Sequence, residues 1–205
     1  MTRYEFRENL TASFIAAIFA FLLIAGNTFA IGSGSKDEEK SPEEQKQEQL
    51  QKATKHYNKG VEHMEKARKK AATADSTFAF NYRATSNDKA RREYEKAVDE
   101  FKEALVLQPE MVEAHNNLAY CFRKLGMIEE SLRQYKRALV IDSSYALARE
   151  YLGETYLAMG DLEMANMQHA WLVEHKSVYA DTLAQAINLF KLKGISEQID
   201  KANGK

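Results

Sequence analysis

The sequence predicts an all-α protein, arranged as an α-solenoid of about three helix pairs with one further helix covering the last pair. Proline occurs only twice, at Pro42 and Pro109, and Ala, Leu, Glu and Lys are frequent, a composition that favours helices. Strand-like runs of Val, Ile and Thr are almost absent, so an all-β or α/β fold has little support. In the second half of the chain the same residue types return every 34 positions, which is typical of stacked repeat units.

Residues 1–31 are predicted to be a signal peptide or a membrane anchor. No charged residue lies between Glu8 and Lys36, and residues 12–25 form a strongly apolar core. Small residues at the −3 and −1 positions mark a possible cleavage site after Ala30 and another after Gly32.

The alternative to cleavage is a retained anchor, because an apolar stretch of about 20 residues can just span a bilayer. A buried core helix is the third interpretation, and the Gly-Ser tract that follows argues against it. With either a signal peptide or an anchor, the rest of the chain is expected outside the cytoplasm, in the periplasm if the organism is a bacterium.

Residues 32–46 are predicted to be a flexible charged linker, because they contain almost nothing to bury. Within it, Ser41 and Pro42 suit the start of a helix, with serine at the N-cap and proline in the first turn. The helical domain is predicted to occupy residues 47–194.

Two consecutive stretches, residues 112–145 and 146–179, carry the repeat most clearly. Leu118 recurs as Leu152, Phe122 as Tyr156, Gly126 as Gly160 and Ser131 as Ala165. In these residues the chain resembles tetratricopeptide repeats, whose 34-residue units hold large apolar, small and aromatic residues at fixed offsets. The second stretch departs from the pattern at His169 and Leu172, as a terminal repeat that meets a different neighbour does.

A further repeat is predicted at about residues 50–111. Its second helix carries Tyr94, Ala97, Phe101 and Ala104, followed by Pro109, and its first helix carries Tyr57, Gly60, Val61 and Met64. These two helices lie farther apart in sequence than in the intact repeats, so we expect an insertion of about 25 residues near 68–92.

Local physical chemistry explains the pattern. Leu118, Phe122 and Leu125 share one helix face, and Gly126 and Gly160 are suited to the left-handed ends of the first helices. Small residues such as Ala119, Gly153, Ala97 and Ala138 should let helices approach closely. Residues 179–193, with Leu183, Ala186, Ile187 and Phe190 on one face, are predicted to form the capping helix, and residues 195–205 a polar tail.

The resemblance implies that a protein or peptide partner binds in a concave groove lined by the first helices. The groove positions lie outside the core stripe and are Tyr57, Asn116, Tyr120, Arg123, Lys124, Glu150, Glu154 and Leu157. We expect Asn116, Tyr120, Arg123 and Lys124 to form the centre of the site. The fold should survive replacement of Tyr120 and Arg123 together by alanine, because neither belongs to the core stripe. The alternative is that these residues belong to a solvated helix face.

The insertion contains three alternating aromatic residues, Phe78, Phe80 and Tyr82, which would share one side of an extended segment. They are candidates for a docking loop. The alternative is that the segment folds back and covers apolar surface of its own helices.

Catalytic, cofactor and metal motifs are missing. The five histidines form no HExxH pattern, Cys121 is the only cysteine, and no GxSxG, P-loop or GxGxxG occurs. A net charge of −1 gives no sign of the excess of basic residues that is typical of nucleic-acid-binding domains. The sequence therefore predicts a non-enzymatic scaffold or adaptor of the periplasm or cell envelope, without a cofactor or metal. The alternatives are a homo-oligomeric structural component of an envelope complex, or a small-ligand binder or enzyme.

Overall fold

The computed structural model describes residues 40–72 and 84–203, and within these ranges it contains α-helices and no β-strand. In chain order the helices are α1 (Pro42–Ala72), α2 (Asp88–Leu107), α3 (Val112–Leu125), α4 (Ile128–Ile141), α5 (Ala146–Met159), α6 (Leu162–Glu174) and α7 (Ala180–Ala202). The predicted all-α class is confirmed. The predicted signal peptide or anchor lies outside the described residues, and so do Phe78, Phe80 and Tyr82. Among the helices of the described ranges, none combines the length and the apolar character that a membrane crossing requires.

The helices stack as consecutive pairs, α1 with α2, α3 with α4 and α5 with α6, and α7 packs on both α5 and α6. The first helices of neighbouring pairs also contact each other, α1 with α3 and α3 with α5. The predicted core stripe of Leu118, Phe122 and Leu125 is buried. Tyr94, Phe101 and Tyr135, from the second helices, are among the largest fully buried side chains of the described chain.

Glycine ends the first helices of the second and third pairs, as predicted. Gly126 has φ +83° and Gly160 has φ +82°, in the left-handed region that most side chains avoid. The Met127 amide donates to the Phe122 carbonyl over 2.9 Å, and the Asp161 amide donates to the Tyr156 carbonyl over the same distance. These bonds satisfy carbonyl groups that the helix end leaves over, so both turns are built identically.

Two other glycines allow close helix packing. A Cβ atom added to Gly60 would lie 2.7 Å from ring carbons of Phe101, and one added to Gly153 would lie 2.5 Å from Leu183 Cδ2. Neither site accepts even a methyl group unless its neighbour moves. Gly153 thus sets how closely α7 approaches α5, which supports the predicted role of small residues.

Helix α1 begins at Pro42, as the Ser41-Pro42 pair predicted, and so includes the last residues of the linker predicted for 32–46. Ser41 and Glu44 form a capping box: the Ser41 amide donates to a Glu44 carboxylate oxygen over 2.9 Å, and the Glu44 amide donates to Ser41 Oγ over 3.3 Å. This reciprocal bonding satisfies amides of the first turn, so the charged residues that follow join the helix.

The helices of the first pair extend into the insertion predicted near 68–92, so part of it is helical. Helix α1 is 31 residues long and α2 is 20, whereas α3 is 14. Asn87 fixes the junction: its side chain accepts from the Lys89 and Ala90 amides and donates to the Lys70 carbonyl over 2.9 Å. One side chain thereby caps the start of α2 and holds the end of α1.

The lengthened first pair is joined by two histidine–glutamate contacts. His56 Nδ1 lies 2.7 Å from Glu100 Oε2, and His63 Nδ1 lies 2.8 Å from Glu93 Oε2. Lys70 donates to the other Glu93 oxygen over 2.7 Å. The hydrogen bonds from Lys70 and His63 lower the pKa of Glu93 to about 2. The two histidines of α1 therefore each pair with a carboxylate of α2.

At the other end of the chain, α7 continues to Ala202, past the predicted start of a polar tail at residue 195. Lys193 and Glu197 lie four residues apart and form an ion pair of 3.3 Å on this extension. Such pairs stabilise a helix that few tertiary contacts support, so the polar composition did not end the helix.

Candidate partner-binding site

The predicted groove residues lie on the first helices, but seven of the eight are buried. Their exposed fractions are 0% for Asn116, Arg123 and Glu150, 1% for Leu157, 2% for Glu154, 5% for Tyr120 and 9% for Lys124. Tyr57 on α1 is half-buried. The expectation that these positions form an open, solvated wall is wrong for α3 and α5.

The reason is the number of helices around each first helix. Helix α3 contacts α1, α2, α4 and α5, and α5 contacts α3, α4, α6 and α7. A helix packed on one side buries one stripe, whereas a helix enclosed by several neighbours also buries the positions beside that stripe. Residues 114–116 and 118–125 of α3 are all buried.

Arg123 and Glu154 form a buried ion pair between α3 and α5. The Arg123 Nη2 atom donates to Glu154 Oε2 over 2.7 Å. Burial by itself lowers the pKa of Arg123, but the Glu154 carboxylate and the nearby Tyr135 and Tyr120 hydroxyls raise it above its ordinary value. The guanidinium group is therefore charged, and its pairing with Glu154 connects two consecutive repeats.

Tyr120 lies in a row of aromatic rings that crosses the repeats. Its ring centroid is 6.1 Å from that of Tyr94 and 5.3 Å from that of Tyr151. Arg123 lies 5.4 Å from the Tyr120 ring centroid, and Lys124 lies 5.7 Å from it. Tyr120 and Arg123 are thus part of the core. The expectation that the fold survives their replacement rested on both lying outside it and no longer follows.

Asn116 is fully buried beside this cluster. Its Nδ2 group donates to Asn117 Oδ1 over 3.2 Å, while its Oδ1 atom has no hydrogen-bond partner among the described residues. A buried amide oxygen without a partner carries a desolvation penalty. The Asn116 Oδ1 atom is therefore a buried hydrogen-bond acceptor that the described helices leave unsatisfied.

An accessible edge remains beside the middle of α1 and the first turns of α3 and α5. Asn117 Nδ2 donates to Tyr57 Oη over 3.2 Å, which joins α3 to α1. Both residues are half-buried, as is Tyr145 at the start of α5, and Glu113 in the first turn of α3 is exposed. Burial and the neighbouring Glu113 carboxylate raise the pKa of Tyr57 to about 12. We refer to Tyr57, Glu113, Asn117 and Tyr145 as the tyrosine edge.

Sequence reasoning identified only Tyr57 among these residues as a candidate. The signal that could have found Tyr145 is its recurrence as Tyr179, 34 positions later and just before α7. Burial, together with the neighbouring Tyr57 and Glu113, raises the pKa of the Tyr145 hydroxyl above its ordinary value. These groups therefore share one environment although they come from three helices.

The part of the chain that the structure describes offers little for metal-dependent or thiol chemistry. Groups of three or more metal-ligating side chains are absent from these residues. Burial raises the pKa of the Cys121 thiol, so the reactive thiolate is disfavoured. A cleft of about 490 Å³ is lined by charged side chains of α1 and α2, including Lys70, Glu93 and Lys96, which pair with one another.

Comparison with known proteins finds a repeat family and partial relatives. Residues 119–160 match the family described as TPR repeat, which confirms the predicted resemblance for this stretch. Over 75 residues the chain is 37% identical to outer dynein arm-docking complex subunit 4 of Xenopus laevis; the match covers 37% of this chain and 14% of that protein. The Sgt2 TPR domain from Aspergillus fumigatus is a similar solved structure, with 22% identity, a TM-score of 0.45 and coverage of 68% of this chain and 83% of that one. TPR domains generally mediate protein–protein interactions.

Proposed function

We propose that this chain is a non-enzymatic adaptor that holds a protein partner against the tyrosine edge. The TPR match supports the class of function, because such repeats present rigid helix surfaces to other proteins. The accessible edge supports the location, since the centre of the predicted groove, at Tyr120 and Arg123, is occupied by core packing.

The hydrogen bond between Asn117 and Tyr57 carries the proposal. It joins the first helices of two repeats at a place where both side chains remain partly accessible. Tyrosine and asparagine side chains held in place in this way combine apolar area with hydrogen-bonding capacity and lose little conformational freedom on binding. A peptide laid across the edge would therefore meet a preorganised surface.

Site-specific photocrosslinking tests the location. A photoreactive phenylalanine analogue placed at Tyr57 should capture a discrete protein from cells that express the chain. The same analogue at Val140, an exposed residue of α4 on the second-helix side, is the matched control. Capture at Val140 and not at Tyr57 would move the binding surface to the second helices.

We also infer that the protein is exported and works in the periplasm or at the cell envelope. The support is the uncharged stretch between Glu8 and Lys36 with small residues before position 31. N-terminal sequencing of protein purified from cells should give a start at Ile31 or Ser33. An intact Met1 in the membrane fraction would favour a retained anchor, and an intact Met1 in the cytosol would contradict export.

A second candidate is a homo-oligomeric structural role. Three apolar residues on or just after α6 are more than half exposed: Met167 at 56%, Val173 at 53% and Val178 at 68%. A surface patch formed by such residues would favour association. Sedimentation at several protein concentrations decides this, because a constant monomer mass would exclude it.

A further inference from the structure

The tyrosine edge combines two features that together select a cation. Aromatic faces attract lysine and arginine through the ring quadrupole, and a nearby carboxylate adds direct charge attraction. Tyr57 and Tyr145 supply the rings, and the exposed Glu113 lies one helical turn before Asn117, the residue that bonds Tyr57. The Glu113 carboxylate also raises the pKa of both tyrosine hydroxyls.

Elsewhere in the described chain, several aromatic rings already have cations of their own. Arg123 and Lys124 surround Tyr120, and the Arg149 guanidinium lies 3.9 Å from the centroid of the Trp171 ring. Over the described residues, no lysine or arginine lies against the ring of Tyr57 or Tyr145, and none forms an ion pair with Glu113. The edge is therefore a cation-attracting surface whose cation is not supplied by the described helices.

The backbone positions of these groups suit an extended ligand. Tyr57, Asn117 and Tyr145 come from or adjoin α1, α3 and α5, so the edge runs across consecutive repeats. The Asn117 side chain holds Tyr57 in place through the 3.2 Å hydrogen bond, and the Tyr57 ring also packs against Phe101, with the two ring centroids 5.8 Å apart. A peptide crossing the first helices would place successive side chains over successive repeats.

We propose that the partner segment bound at the tyrosine edge is basic, with a lysine or arginine side chain placed between the Tyr57 and Tyr145 rings and Glu113. This inference rests on the proposed function, because it names the chemistry of the partner that the same site would hold. Charge complementarity with Glu113 selects the basic segment over an acidic one.

A carboxylate in the first turn of a helix also has a plain structural role, because it interacts favourably with the helix N-terminus. Glu129 occupies the corresponding exposed place in the first turn of α4. The variant Glu129→Gln therefore removes the same charge and the same helix interaction as Glu113→Gln, but leaves the tyrosine edge intact. It is the matched control.

The test uses the intact chain and a displayed library of random short peptides. Recovered binders should be enriched in lysine and arginine over the input library, and the strongest of them serves as a labelled probe. By fluorescence anisotropy the probe should bind Glu113→Gln about threefold to fivefold more weakly than the wild type. Its affinity for Glu129→Gln should be unchanged.

Two more variants separate ring stacking from hydroxyl chemistry. Tyr57→Phe keeps the ring but loses the hydrogen bond from Asn117, so it should cost less affinity than Tyr57→Leu. Tyr57→Leu keeps apolar volume without the quadrupole and should lose about as much as Glu113→Gln. Binders enriched in aspartate and glutamate, or equal affinity for Glu113→Gln and the wild type, would overturn the basic-partner inference and leave the adaptor function standing. A library that yields no binders would overturn both.

Discussion

Replacing Glu154 by glutamine changes one buried charge and almost no volume. In the wild type the Glu154 carboxylate lies 2.7 Å from Arg123, whose side chain is completely buried. Glutamine can still accept a hydrogen bond but cannot balance the positive charge. A buried guanidinium group keeps its proton. The variant therefore keeps the buried positive charge of Arg123 without the negative charge of the Glu154 carboxylate.

Breaking a buried ion pair by removal of one partner is destabilising by about 3–5 kcal/mol. The retained hydrogen bond places our expectation at the lower end, at about 3 kcal/mol, which corresponds to roughly 6–12 °C in the melting temperature of a domain of this size. The expected loss of stability is this large because the ion pair is buried. An exposed pair with the same N–O distance is screened by solvent and contributes less.

Urea unfolding followed by circular dichroism measures the change. The control is Lys66→Met, which breaks the exposed Glu62–Lys66 pair of 2.6 Å on α1 and should leave the unfolding midpoint unchanged within error. A further variant that replaces both Arg123 and Glu154 by leucine or methionine should recover much of the loss, because it removes both charges. If Glu154→Gln unfolds at the same urea concentration as the control, the buried pair does not connect the repeats as argued.

Two further predictions concern packing and pH. Gly153→Ala should destabilise the protein by about 1–3 kcal/mol in urea unfolding, because the new methyl group overlaps the buried Leu183. The control Gly194→Ala, on open helix surface, should instead stabilise the protein by up to about 1 kcal/mol. A Gly153→Ala variant as stable as the wild type would contradict the close approach of α7 to α5. The hydrogen bond from Lys70 is the main reason that the pKa of Glu93 is lowered to about 2. The ionised Glu93 therefore stabilises the fold fully above the ordinary glutamate pKa of about 4.3, and this contribution is lost as the pH falls towards 2. Over that window the stability of the wild type should fall more steeply than that of Glu93→Gln, and parallel curves would show that the contact is weak.

The parts of the fold that depend on neighbours along the chain were predictable from the sequence. Gly126 and Gly160 end their helices, and Ser41 caps α1, because these effects involve only the backbone of a few consecutive residues. The 34-residue recurrence predicted the stacked pairs of residues 112–179 for the same reason, since each unit repeats one local pattern.

Helix lengths were less predictable. Polar composition suggested a linker up to residue 46 and a tail from residue 195, yet both stretches are partly helical. Capping at Ser41 and the Lys193–Glu197 ion pair stabilise the two helix ends without burying apolar side chains. Hydrophobic periodicity therefore did not indicate how far these helices extend.

The amino-acid sequence by itself determined that the chain forms helices, where the glycine turns fall and which stripe of α3 enters the core. Only the tertiary structure decided that Arg123 and Glu154 pair in the interior and that Tyr57 meets Asn117 at an accessible edge. The physical reason is that periodicity reports one buried face of a helix, whereas burial depends on how many neighbours surround it. Helix α3 belongs to the middle repeat and contacts the first helices of both adjoining repeats. Side chains outside its core stripe therefore pack against α1 and α5.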